Sequence, residues 1–114
     1  MDLIAEEDDM LTAQARELLL SQVRPLGQLP CEGFLVASEL AAEPRPLRRR
    51  VIVRVLQLML GRDARVETAS VEACLAGLGN SGYVNNIQGD VAVSFNKQGL
   101  RLEPMSAFRA RRKK

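Results

Sequence analysis

The sequence predicts an α+β domain in which three helices form the core and a small antiparallel β-hairpin or meander follows them. Apolar residues repeat with a helical period in three segments of the first two thirds of the chain, and the period becomes two-fold after Gly82. With 114 residues, of which 46% are hydrophobic and 26% charged, the chain has the composition of one globular domain. We place that domain at residues 1–104 and a basic tail or linker of low structural content at residues 105–114.

The first helix is predicted over residues 3–23, because apolar pairs recur about seven residues apart and form one stripe. Four carboxylates, Glu6, Glu7, Asp8 and Asp9, lie near its start, where they suit the positive end of the helix dipole. The segment that follows, residues 24–42, contains two prolines and two glycines. We expect it to form an extended piece and a short helical turn, with core anchors at Phe34, Leu35 and Leu40.

The second helix is expected to start around Pro46 and to end at Leu60, before Gly61. Its apolar residues cover most of the circumference and leave a narrow polar stripe, so it is predicted to be a nearly buried central helix. A third helix, SVEACLAGL, follows at residues 70–78. DVAVSF and LRLEP then form a hairpin through the turn NKQG, and GYVNNIQGD supplies a possible third short strand.

Charge is divided unevenly along the chain. The net charge is +2, yet residues 1–43 hold nine acids against two arginines, whereas residues 44–114 hold fourteen Lys and Arg against five acids. Such a division suggests an anionic partner, an ion-paired contact between the two halves, or both. Thirteen of the sixteen basic residues are arginine, whose planar guanidinium suits phosphate and carboxylate alike.

The basic residues form two candidate surfaces for a nucleic-acid backbone. Positive charges in the first turn of a helix oppose its dipole at about 0.3–1 kcal/mol each, so the arginines that begin the second helix need an anionic partner. That partner is either the acidic start of the first helix or an RNA phosphate. With only four aromatic residues, contact with the backbone of a structured RNA is favoured over base stacking. The candidates are Arg45, Arg48, Arg49, Arg50 and Arg54 in the second helix, and Arg111, Arg112, Lys113 and Lys114 as a weaker second surface.

The sequence contains no recognisable catalytic or metal-binding constellation. It has no histidine, and Cys31 and Cys74 have no CxxC partner, so they are expected to be reduced packing residues, although they could pair. The glycine-rich GLGNSG follows a helix and precedes a strand, so it offers no helix N-terminus to a phosphate. No apolar run is long enough to span a membrane, and the acidic start is unlike a signal peptide, so a cytoplasmic location is expected.

The succession of segments resembles one enzyme family. AEEDDMLTAQARELL is followed by LP, by PRPLRRRVIVRVLQ, by SVEACLAGL and by SGYVNNIQGDVAVSFNKQGLRLEP. This order resembles the substrate-binding middle domain of bacterial tRNA(Ile)-lysidine synthetases over nearly the whole chain. The stretch PLRRR matches the family's ALRRR motif, and Arg54 falls at the basic position that follows it. Val71 departs from the pattern, because the family often has histidine-isoleucine there.

The resemblance implies that the parent enzyme is an ATP-dependent ligase. It adenylates the wobble cytidine of an isoleucine tRNA with a CAU anticodon and then attaches lysine. ATP and magnesium belong to a catalytic domain with an SGGxDS loop, of which this sequence has no trace. The chain is therefore expected to carry no cofactor and no catalysis of its own. Its expected partners are the tRNA and the catalytic domain of the same parent chain.

Two other functions remain possible from the sequence. One is a structural packing or dimerisation module that touches no nucleic acid; arginines paired with Glu6, Glu7, Asp8 or Asp9 would favour it, whereas a ridge of arginines that faces solvent would favour RNA. The other, less favoured, is a stand-alone enzyme, which would need Cys31 or Cys74 as a nucleophile in a deep pocket.

Overall fold

The computed structural model describes residues 3–61 and 63–112, and their side chains from Thr12 onward. These residues form an α+β fold, as the sequence predicts. The helices are α1 (Leu3–Gln22), α2 (Arg45–Leu60), α3 (Thr68–Gly77) and α4 (Met105–Arg112). The strands are β1 (Val23–Pro25), β2 (Phe34–Val36), β3 (Val84–Ile87), β4 (Val91–Asn96) and β5 (Gly99–Pro104).

All five strands belong to one antiparallel sheet with the order β1-β2-β5-β4-β3. The predicted hairpin is present as β4 and β5, with Phe95 opposite Leu100, and β3 is the predicted third strand. The sheet is larger than expected because β1 and β2 add to the free edge of β5. Each has only three residues, too few for a two-fold pattern to stand out in a segment rich in proline and glycine.

Two glycines allow β2 to approach β5 closely. Gly33 and Gly99 have φ angles of 108° and 130°, which favour residues without a Cβ. A Cβ at Gly33 would collide with the backbone carbonyl oxygen of Leu102, and a Cβ at Gly99 with that of Val36. These positions therefore fix how the added strands join the predicted hairpin.

The core lies between one face of the sheet and the first three helices. Because side chains alternate along a strand, Phe34 and Val36 face this core while Leu35 lies on the opposite face. Leu40 is fully buried, so two of the three predicted anchors are confirmed and Leu35, which is only half-buried, is not. α2 is the nearly buried helix that the sequence predicts, and it buries Leu47, Val51, Ile52, Val55, Leu56 and Met59.

Gln88, in the connection between β3 and β4, holds this connection against the start of α3. Its backbone N–H donates to the Ser70 hydroxyl at 3.2 Å, and its side-chain amide donates to the carbonyl oxygen of Arg65 at 2.8 Å. The same amide accepts a hydrogen bond from the backbone N–H of Glu67. These bonds hold α3 in place beside α2, which matters for Glu72 below.

Residues 105–112 form a helix rather than the predicted basic tail. α4 packs at the end of β5, where Met105 is buried and Phe108 is half-buried. Arg111 pairs with Glu103, a residue of β5 that is 3% exposed and lies on the face of the sheet opposite the core. The high density of arginine hid this helix, although Met105 and Phe108 have the spacing of one helical face.

Candidate nucleic-acid interface

The arginines of α2 point in three directions. Residues four apart lie on the same face of a helix, so Arg45 and Arg49 share one face and Arg50 and Arg54 share another. Arg48 lies one turn before the buried Ile52 and therefore points toward the core side. The geometry of the helix thus gives the five candidates, which the sequence groups together, different neighbours.

Arg45 and Arg49 are paired with Glu72 of α3. The Arg45 guanidinium lies 2.5 Å and that of Arg49 3.6 Å from the carboxylate of Glu72. All three side chains are about half exposed, and exposed ion pairs stabilise a fold by about 0–1 kcal/mol. The pairing therefore has little effect on stability, but it places a negative charge beside two of the candidate phosphate contacts.

Arg48 is half-buried, and its Nε atom has no hydrogen-bond partner among the described residues. The position of Arg48 in the first turn of α2 predicts an exposed side chain. That expectation does not hold for the whole side chain, since the turns that follow on the same side of the helix are in the core. Among the predicted arginines, Arg48 is the least suited to reach a phosphate.

An open groove of about 600 Å³ runs between α1 and α2, and we call it the α1–α2 groove. Arginines line both of its sides, and small or aliphatic side chains form its apolar part. No residue that lines it within the described part of the chain carries a negative charge. The lining residues are Thr12, Ala15, Arg16, Leu19, Pro46, Arg49, Arg50, Val51, Val53, Arg54 and Gln57.

Two of the groove arginines, Arg16 and Arg54, are exposed and make no hydrogen bond or ion pair with any residue that the structure describes. Arg50 is half-buried and donates from Nη1 to the Thr12 hydroxyl at 3.3 Å, which links α2 to α1. Arg54 was predicted from the sequence, but Arg16 was missed because it stands in the acidic half. The sequence could have indicated Arg16 through its position beside Thr12, Ala15 and Leu19 on one stripe of α1.

The pairing expected between α2 and the acidic start of the chain falls on side chains outside the described residues. The side chains of Glu6, Glu7, Asp8 and Asp9 lie outside the described residues, as do Lys113 and Lys114 of the second surface. The carboxylate that does pair with α2 arginines among the described residues is Glu72. The sequence predicts that Glu72 lies in a helix, but it does not predict that this helix packs against α2.

The two described residues of the second predicted surface, Arg111 and Arg112, are engaged within the fold. Arg111 Nη2 lies 2.6 Å from a carboxylate oxygen of Glu103, and this hydrogen bond raises the pKa of Arg111. The Arg112 guanidinium lies 5.2 Å from the centre of the Phe108 ring, within the range of a cation–π contact. Arg109, on the same helix, is exposed. α4 is therefore a basic helix with part of its charge already partnered.

The positions of the aromatic residues argue against base stacking in the α1–α2 groove. Phe34 and Phe95 are 8% exposed and belong to the core, and no aromatic side chain of the described part of the chain lines the groove. Proteins that hold single strands by their bases present exposed aromatic rings along a basic channel. This groove instead offers guanidinium groups, which bind phosphate oxygens in a planar, two-pronged geometry.

The two cysteines lie in different surroundings. Both are free; Cys31 is exposed and Cys74 is buried. Burial raises the pKa of the Cys74 thiol to about 12, the opposite of the shift that activates a nucleophile. Within the described residues there is no group of three potential acidic, cysteine or histidine metal ligands, and no helix has both the length and the apolar character needed to cross a membrane.

Comparisons with family models, curated proteins and solved structures give no match to this chain.

Proposed function

We propose that this chain is a tRNA-binding accessory domain of a bacterial, cytoplasmic, ATP-dependent tRNA(Ile)-lysidine synthetase. The observation that carries the nucleic-acid part of the proposal is the α1–α2 groove, which is lined by four arginines and by no acidic residue of the described chain. The resemblance of the segment order to the family's middle domain supplies the choice of tRNA and of the parent reaction. In that proposal, ATP and magnesium act in the separate catalytic domain.

Binding would act through the phosphate backbone. Each guanidinium that meets a phosphate releases counterions, so the affinity falls as the salt concentration rises. Such contacts fix the position of an RNA but do not read its bases. The domain would thus hold the tRNA body in place, and selection of the anticodon would fall to the catalytic domain.

The proposal is tested by measuring the affinity of the 114-residue chain for isoleucine tRNA with a CAU anticodon and for bulk tRNA. With three phosphate contacts, the affinity should fall roughly 20- to 40-fold between about 50 and 200 mM salt. The two RNAs should bind within a few-fold of each other. Absence of binding to either RNA at low salt would overturn the proposal.

A second candidate function is a structural packing or dimerisation module. The observation that favours it is that Arg45 and Arg49 are paired with Glu72 and Arg111 with Glu103, so several predicted contacts already have partners within the fold. Sedimentation of the same chain with and without tRNA distinguishes this function. A dimerisation module should show a concentration-dependent mass that tRNA does not change.

A further inference from the structure

Building on the proposed function, we infer that the RNA backbone lies along the α1–α2 groove and that Arg16 of the acidic half contacts its phosphates together with Arg54 of α2. The proposal assigns the contact to two helices rather than to the start of α2 alone. It also adds a residue from a segment whose overall charge is negative.

The first argument is the alignment of charge along the groove. Arg50 and Arg54 are four residues apart, which is about 6 Å along the axis of α2. Arg16 lies on the opposite side, on the stripe of α1 that also presents Ala15 and Leu19 to the groove. A strand in the groove would therefore meet positive charge from both sides and at successive points along its length.

The second argument is the composition of the groove between the arginines. Ala15, Leu19, Val51 and Val53 provide apolar surface there. Apolar surroundings lower the local dielectric constant, and an ion pair is stronger in a lower dielectric than in bulk water. The attraction between a guanidinium group and a phosphate is therefore stronger there than at an open surface, and the cost of removing both groups from water opposes that gain.

The third argument is the state of the other candidate arginines. Arg45 pairs with Glu72, Arg111 with the buried Glu103, and Arg48 is half-buried toward the core. Using Arg45 or Arg111 for RNA would require an existing ion pair to be broken or shared. Arg16 and Arg54 carry no such requirement among the described residues.

The test uses the double variant Arg16→Gln with Arg54→Gln in the 114-residue chain. Both side chains are exposed and lie on helix surfaces, and glutamine is a good helix former, so the fold should be retained. The matched control is Arg24→Gln with Arg65→Gln, which removes the same charge from two exposed arginines outside the groove. Circular dichroism and thermal unfolding establish that all three proteins are folded before the tRNA titrations begin.

The salt slope is the gradient of log affinity against log salt concentration. If the RNA occupies the groove, the groove variant should lose about 1.4–1.8 from its magnitude, because each lost phosphate contact removes about 0.7–0.9. The control should keep the slope of the unmodified chain. Equal slopes for the two variants would overturn the inference while leaving tRNA binding intact, whereas no binding by the unmodified chain would overturn the proposed function as well.

A further titration separates RNA from an acidic protein segment as the occupant. A peptide with the sequence of residues 2–9, which contains five carboxylates, is added to the preformed complex with tRNA. The inference predicts that it displaces tRNA no better than a scrambled acidic peptide of equal charge. Sequence-dependent displacement at micromolar concentration would show that the groove prefers this acidic segment to RNA and would overturn the inference.

Discussion

Glu72 is the residue whose role changes most once the structure is considered. It lies in the predicted third helix, and nothing in its local sequence marks it as a partner of α2. In the fold, its carboxylate meets Arg45 and Arg49 and neutralises part of the positive charge at the start of α2. Since these side chains are about half exposed, the pairing changes the local charge at the start of α2 but contributes little to the free energy of unfolding.

Replacement of Glu72 by glutamine should therefore strengthen tRNA binding. The change frees Arg49, which lines the groove, to meet a phosphate, so the magnitude of the salt slope should rise by about 0.7–0.9, for one added contact. The free energy of unfolding should fall by no more than about 1 kcal/mol. Glu39→Gln, at an exposed position away from the groove, removes the same charge and serves as the control. Equal gains in affinity for both variants would mean that only net charge matters.

The two cysteines should differ sharply in reactivity. Cys31 is exposed and should react with a thiol reagent at neutral pH, whereas Cys74 is buried and should react only when the chain unfolds. A Cys31→Ser variant should thus show no labelling in the folded state and one label in denaturant. Rapid labelling of this variant under native conditions would contradict the buried position of Cys74.

The burial of Cys74 should also lower the free energy of unfolding in alkaline solution. Burial raises its pKa from 9.0 to about 12, so the folded state keeps the proton while the unfolded thiol ionises. The unfolded state then binds fewer protons, and its share of the equilibrium grows as the pH rises from about 9 to about 12. In Cys74→Val this part of the pH dependence should disappear from urea unfolding curves. A decline of the same steepness in both proteins would assign it to other groups.

At the scale of elements, α4 is attached to the sheet by the packing of Met105 and Phe108 and by an ion pair between Arg111 and Glu103. Glu103 is buried, and Arg111 reaches it from the last turn of α4 with two hydrogen bonds, at 2.6 and 3.4 Å. The partners are not equivalent, because Arg111 is 41% exposed and Glu103 is 4% exposed at the side chain. Loss of the arginine leaves a buried charge without its partner, and loss of the glutamate leaves a solvated one.

Arg111→Gln should consequently lower the free energy of unfolding by about 1–3 kcal/mol. It should also increase amide hydrogen exchange throughout α4. Arg109→Gln removes the same charge from an exposed position of this helix and should change stability by less than about 0.5 kcal/mol. If the two variants were equally stable and equally protected, the pair with Glu103 would not hold α4 in place.

α1 and α2 show what the sequence could and could not predict about the candidate site. The periodic pattern was enough to predict both helices, the burial of α2 and the concentration of arginine at its start. It could not assign Arg45 and Arg49 to α3, or Arg16 to the groove, because those contacts depend on how helices pack. Packing is decided by residues far apart in the chain, and a single-helix pattern contains no information about them.

The strands and α4 show the same limit at the level of the fold. The two-fold pattern of β4 and β5 was long enough to be recognised, whereas the three residues of β2 acquire their role by pairing with β5. α4 was interpreted as a tail because arginine dominates it, although Met105, Phe108 and Arg111 recur every three residues along one side. Short elements with strong tertiary contacts are the ones that local sequence predicts least well.

At the scale of the whole molecule, four arginines line a groove between two helices, and Arg45, Arg111 and Arg112 have partners within the fold. This arrangement predicts one continuous RNA contact rather than a diffuse basic surface. Any anionic polymer would be attracted to a diffuse surface, and its contacts would be spread over α2, α4 and the loops. A groove contact should instead be confined to the facing sides of α1 and α2.

The most direct measurement is a nuclear magnetic resonance titration of the isotope-labelled chain with isoleucine tRNA, following backbone amides and arginine Nε–H signals. The account predicts that the shifts concentrate at residues 12–19 and 46–57, with Arg16 and Arg54 changing most and Arg111 staying constant. Shifts centred on α4, or spread evenly over all the arginines, would contradict the assignment of the α1–α2 groove as the site of contact.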